Sequence, residues 1–186
     1  KLSVQSWLEH DPAAEQVRPA RCVSCRGYHR KGCRIHGNGR RSRTVAGPDK
    51  PGGKPKNDRV LGRRFRCTTC RCRMLVVPSE VAPWYRYSLS AILYALALWS
   101  LEKAVGGRVR KKVSPWDADG FGPPHIWSSL RRWVRRRAQL WPAVHVPDRT
   151  TMRETAAALV AALVARLSPA PALARAADAF RAARAA

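Results

Sequence analysis

The sequence predicts an α+β protein, a small cysteine-bearing β-hairpin module followed by an all-α helical region. Three observations predict it. Two C-x-x-C pairs, Cys22/Cys25 and Cys67/Cys70, flank a basic segment that Gly and Pro break into short strand-like pieces. After residue 88, apolar side chains recur at helical spacing in three separate stretches. The chain of 186 residues carries 36 Lys or Arg against 12 acids, a formal charge of +24, so a compact fold repels itself unless a polyanion neutralises part of its surface.

The elements divide the chain into four expected segments. Residues 1–20 form an arm or short helix with Trp7 and Leu8 as docking side chains. Residues 21–80 form the cysteine module. Between residues 21 and 73 there are 17 Lys or Arg against two acids, Asp49 and Asp58. Its centre, "RTVAGPDKPGGKPKNDRVLGRRFRC", reads as two strands near 43–46 and 60–66, with a hairpin tip at 47–55.

Residues 81–145 form a helical region. In "SLSAILYALALWSLEKAVGG", Leu89, Ile92, Leu93, Leu96 and Trp99 mark an amphipathic helix, with Gly106 and Gly107 as its stop signal. "RVRKKV" reads as a short helical piece before Ser114 and Pro115. In "HIWSSLRRWVRRRAQLW", Trp127, Leu130, Trp133, Val134 and Trp141 occupy one side of a helix and Arg131, Arg132, Arg135 and Arg136 the other. Residues 146–186 hold C-terminal helices for packing or partner binding. The first begins at "TMRE", where Thr151 and Glu154 have capping-box spacing, and shows a Leu159, Leu163, Leu167 stripe.

The cysteines carry the chemistry. A C-x-x-C turn can aim two thiolates at one tetrahedral ion, and two such knuckles close a four-sulfur site with no open position for water. The expected cofactor is therefore structural Zn²⁺ on Cys22, Cys25, Cys67 and Cys70, in a zinc ribbon whose hairpin lies between the knuckles. Six cysteines in a reducing compartment favour this over a disulfide framework or a redox pair. Cys33, Cys72, His29 and His36 remain open as substitute ligands or as members of a second site.

The stretch "RRFRCTTCRCRMLVVPSEVAPWYRYSLSAILYAL" resembles the zinc-ribbon and helix-turn-helix-like N-terminal region of bacterial insertion-sequence transposases. "YSL", "SPW" and "SLRRW", in that order, are also similar to short zinc-ribbon proteins of mobile-element neighbourhoods. The resemblance covers roughly residues 20–140 and implies DNA binding in the service of a mobile element. Arg71 stands where such knuckles often have Gly, and "SPWDADGFGPP" is longer than a three-residue helix-turn-helix turn.

Together these readings predict a zinc-dependent nucleic-acid-binding protein, with duplex DNA as the favoured polymer and an accessory or regulatory role in a mobile element. Arg63, Arg64 and Arg66 beside the ribbon, and Arg131, Arg132, Arg135 and Arg136 on the helix, are the expected phosphate or base contacts. The helical register sends Trp99, Trp127 and Trp133 to the core and leaves Trp84 and Trp116 open for base stacking. The alternative is a protein-interaction subunit docking on a transposase, ATPase or polymerase complex.

No catalysis is expected. The "DAD" of Asp117 and Asp119 sits among turn residues, and His125 and His145 have no relay partner at a useful spacing. The apolar runs fall short of the roughly 20 residues that span a bilayer, and the N-terminal stretch lacks the pattern of a secretory signal. A cytoplasmic, nucleoid-associated location follows as an expectation, with no membrane partner.

Overall fold

The computed structural model describes residues 3–25, 34–82, 84–116 and 127–167. Within them the protein is mixed α+β, with a three-stranded antiparallel sheet and six helices. The chain divides into two units. One holds the described residues up to Val45 together with Asn57–Ser88; the other holds Ala46–Lys56 and the described residues from Leu89 onward.

The first unit is built on strands β1 (Ile35–Gly47), β2 (Lys56–Cys67) and β3 (Arg73–Val76), in the order β1-β2-β3. Both hairpin strands run longer than the short apolar stretches in them suggest, because Gly- and Arg-rich segments with little strand propensity are carried by the ladder. β2 and β3 pair antiparallel, with Arg63 opposite Val76 and Phe65 opposite Met74. Gly62 permits this approach: a Cβ there would meet Val77 Cγ1 at 2.7 Å and Leu75 Cδ1 at 3.0 Å.

Helix α1 (Val4–His10) is not a free arm. Ser3 caps it through Ser6 N, and its Trp7 is buried with Nε1 donating to the Leu61 carbonyl at 3.2 Å. Val4 and Trp7 pack with Val45, Val60 and Val81; Leu8, the other expected docking residue, is exposed. A second cluster joins Cys22, Ile35, Phe65, Cys67 and Met74. The cysteine module thus has small apolar clusters of its own, although its composition is dominated by charge.

The second unit is helical: α2 (Leu89–Ser100), α3 (Gly106–Val113), α4 (Ser128–Arg135), α5 (Arg137–Leu140) and α6 (Met152–Leu167). It centres on α2, against which α3, α4 and α6 all pack. The expectation of an amphipathic α2 needs correcting, because Ala91, Ile92, Tyr94, Ala95, Leu96, Ala97 and Leu98 are all buried. A helix apolar all round is a central helix. Gly106 and Gly107 do not end α2 either. The helix stops at Ser100, Lys103 takes a left-handed φ of 54°, and the two glycines open α3.

Helix α6 starts as its sequence suggests. Thr151 Oγ1 accepts from Glu154 N at 3.1 Å while Glu154 Oε2 accepts from Thr151 N at 3.0 Å, a reciprocal capping box. Leu159 and Leu163 are buried, so these two residues of the stripe serve packing within the chain. The tail expected to be helical after Pro171 lies outside the described residues.

Candidate functional site

Both cysteine pairs sit on tight turns, one ahead of β1 and the other at the end of β2. The Sγ atoms of Cys22, Cys25, Cys67 and Cys70 all lie within 4.8 Å of one another. Cys22 Sγ is 3.5 Å from Cys70 Sγ, and Cys25 Sγ is 3.8 Å from Cys67 Sγ. Four sulfurs bound about 2.3 Å from one ion in a tetrahedron stand about 3.8 Å apart, so the four thiols lie close enough to share one ion. All four are free thiols, which also separates this arrangement from a pair of disulfides.

The two turns hold their first thiol in the same way. The backbone N–H of Cys25, with help from Ser24, bonds Cys22 Sγ and pulls its pKa below the ordinary thiol value. The N–H of Cys70, with help from Thr69, does the same for Cys67 and lowers it to about 6, although burial opposes the shift at both sites. Both turns therefore favour the thiolate, the form that binds metal. Arg71, where a Gly is usual in similar knuckles, takes φ 58°, so a non-Gly residue accepts the left-handed conformation at this corner.

Further bonds join the knuckles to the sheet. Cys67 N donates to the Cys72 carbonyl at 3.0 Å, and Thr68 donates through N and Oγ1 to the Arg34 carbonyl at 3.0 and 3.1 Å. Comparison with protein-family models, with curated proteins and with solved structures finds no match for this chain.

Cys72 stands outside the four-sulfur group. Burial, and then the neighbouring Cys22 thiolate, push its pKa up, and it packs half-buried against the Phe65 cluster. His36 is exposed on β1. Cys33, His29, Asp117, Asp119 and His125 lie outside the described residues. Among the described residues the four cysteines are the one group of three or more His, Cys, Asp or Glu placed to share an ion.

The expected arginine contacts separate into two classes. Arg63 is only 4% exposed. Its Nε donates to the Pro12 carbonyl at 2.7 Å, and its Nη2 to the Asp11 carbonyl at 2.9 Å and to Asp11 Oδ1 at 2.8 Å. It is a structural clamp on the N-terminal segment and must be withdrawn as a phosphate contact. Strand alternation was the overlooked signal: Arg63 shares its face of β2 with buried Phe65 and Cys67, whereas Arg64 is half-buried and Arg66 exposed on the other face. Asp11 itself takes φ 37° at the end of α1 and gives its other oxygen to Arg40 at 3.0 Å.

In the helical unit, Arg131, Arg132, Arg135 and Arg136 are all exposed, while Leu130, Trp133 and Val134 are buried. Trp127 meets Trp133 edge to face, with ring centroids 5.0 Å apart. The chain breaks at Arg136 between α4 and α5. Arg137 then turns inward, with Nε donating to the Val146 carbonyl and Nη2 to Asp148 Oδ1, each at 3.0 Å. The basic ridge is thus about two turns long, with four guanidinium groups carried by a packed aromatic base.

Proposed function

We propose that this chain is a zinc-dependent nucleic-acid-binding protein, with duplex DNA as its principal polymer. The observation that carries the reading is the convergence of four thiols at tetrahedral spacing in a unit dense with arginine. Four thiolates suit Zn²⁺, a borderline-soft ion without redox chemistry, and they leave no coordination position for substrate water. In this reading the metal is structural and the sheet unit is a zinc ribbon. The ion fixes the two turns and the β-hairpin, while Arg64 and Arg66, and separately the Arg131–Arg136 ridge, meet phosphates.

The mobile-element role rests on the resemblance carried by residues 20–140. In that role the chain is an accessory or regulatory component in the cytoplasm, associated with the nucleoid, and it binds without cutting. No helix among the described residues is long and apolar enough to cross a membrane. The second reading is an interaction subunit docking on a transposase, ATPase or polymerase complex; Leu159 and Leu163 are buried within the chain and lend it no open surface, so the polymer-binding reading is put first.

Binding of labelled duplex DNA across a salt series tests this function. Affinity should fall steeply, with a log–log slope of about 0.9 per neutralised phosphate. Replacing Arg131, Arg132, Arg135 and Arg136 by Gln should reduce both slope and affinity. Absent binding at low salt, or binding indifferent to salt, would remove the proposal. Strand cleavage in magnesium or manganese that Asp117→Ala or Asp119→Ala abolishes would overturn the non-enzymatic role.

A further inference from the structure

One feature of the sheet unit is unexplained by the metal centre or by packing. β1 is an edge strand, and beside it the segment around Trp84 forms a cleft of about 290 Å³ lined by Arg41, Arg43, Thr44, Trp84, Tyr85 and Arg86 among others. Trp84 is 85% exposed and has a left-handed φ of 67°. A bulky residue pays roughly 1–2 kcal/mol to adopt that conformation, and this one recovers nothing by burial. The turn leaves the indole bare, and a bare aromatic face is a stacking surface.

The cleft's chemistry says which ligand. Arg41 and Arg43, two residues apart on a strand, share one face, and Arg86 also lines the cleft. Among the described residues no carboxylate lines the cleft. Arg43 Nη2 lies 3.4 Å from the Tyr85 carbonyl, which ties the wall to the strand, whereas Arg41 and Arg86 have no ion pair among the described residues. Guanidinium groups call for phosphate, and a bare indole face calls for a flat ring.

We propose that this cleft binds one unpaired nucleotide of a nucleic acid, stacking its base on Trp84 and holding its phosphate with Arg41 and Arg86. A base inside a duplex has both faces covered by its neighbours, so only an unpaired or extruded base can offer a face to the indole. The inference rests on the nucleic-acid reading above and adds a preference to it. Duplex contacts belong to the exposed arginines described there, and the Trp84 cleft selects strands with an open base, such as a single strand or a duplex end with an overhang.

The test uses the full zinc-loaded chain and three labelled probes: a blunt duplex, an oligothymidylate of about eight nucleotides, and the same oligomer with abasic sites. Trp84→Ala should weaken oligothymidylate binding about 5- to 150-fold, the worth of one stacked base. It should leave blunt-duplex binding within about twofold and make the oligothymidylate and abasic strands equivalent. Trp84→Phe should retain most of the affinity, and Arg41→Gln with Arg86→Gln should lower the single-strand salt slope by about 0.7 per lost contact. Zinc content and thermal melting of each variant confirm an intact fold.

If the parent binds duplex but Trp84→Ala binds oligothymidylate as the parent does, the cleft assignment is wrong and the broader function stands. An equal loss on duplex and single strand in a folded variant also overturns it. If the parent binds none of the probes, both readings fall. Loss confined to anionic phosphatidylserine vesicles, with oligonucleotide binding intact, would reassign the Trp and Arg groups to a lipid surface and refute the proposal.

Discussion

The two units of this protein are held by different forces. In the sheet unit, two small apolar clusters are supplemented by four converging thiols and by a clamp in which Arg63 grips the carbonyls and carboxylate of Asp11 and Pro12. In the helical unit, α2 is sheathed by α3, α4 and α6 and buries apolar residues around most of its circumference. One unit is dense in charge and brings four thiols together where an ion could bind; the other builds an ordinary core and carries its charge outside. Surface arginines are therefore carried in two ways: on α4 they ride on buried Leu130, Trp133 and Val134, and in the sheet unit they surround small apolar clusters and converging thiols.

The largest expected effect breaks one side of that contrast. Cys67→Ser, or stripping with a strong chelator, should remove the metal and unfold the sheet unit, because apparent binding energies at structural zinc sites are about 10–16 kcal/mol. Amide exchange protection should vanish from β1 to β3 while α2 and α6 keep theirs. Protection lost together in both units would show that their stabilities are not separate.

The complementary lesion is Leu159→Ala, which truncates a fully buried side chain on α6 and should cost about 2–5 kcal/mol. Thermal melting of the helical signal should drop while metal content stays at the parent level. A smaller effect sharpens the division among arginines. Arg63→Ala leaves the Pro12 and Asp11 carbonyls without their donor and should destabilise the sheet unit by about 1–3 kcal/mol. Arg66→Ala, at an exposed position, should stay within about 0.5 kcal/mol and weaken DNA binding instead. Equal stability of these two variants would contradict the clamp.

Legibility in the sequence followed the range of the interaction. The cysteine quartet was readable because each C-x-x-C turn is local and two matched turns can meet at one ion. The capping box at Thr151 and the two faces of α4 were readable for the same reason, since three- and four-residue spacings fix them. The burial of Arg63 was legible in strand alternation and overlooked, whereas its partners Asp11 and Pro12, far away in sequence, were not legible. α2 was misread because its Leu and Ala pattern cannot reveal how many neighbours will surround it. The full length of β1 was invisible, since "HGNGRRSR" has little strand propensity and is held extended by its partner.

The smallest expected effect is a pH displacement. Backbone N–H groups lower the Cys67 pKa to about 6 and lower Cys22 as well, so both favour the folded state above the ordinary thiol range. That contribution is lost as pH falls through about 6 for Cys67, where protons begin to compete with metal. Zinc, followed with a chromogenic indicator, should stay bound at neutral pH and be released only below about pH 6. Release beginning above pH 7 would mean that the turns do not favour thiolates.

The central claim is that Cys22, Cys25, Cys67 and Cys70 together bind one structural zinc ion. X-ray absorption at the zinc edge, paired with elemental analysis of the purified chain, tests it most directly. One zinc per chain is expected, surrounded by four sulfurs at about 2.3 Å with no light-atom ligand. A metal-free folded protein, or a zinc shell containing nitrogen or oxygen, would contradict it.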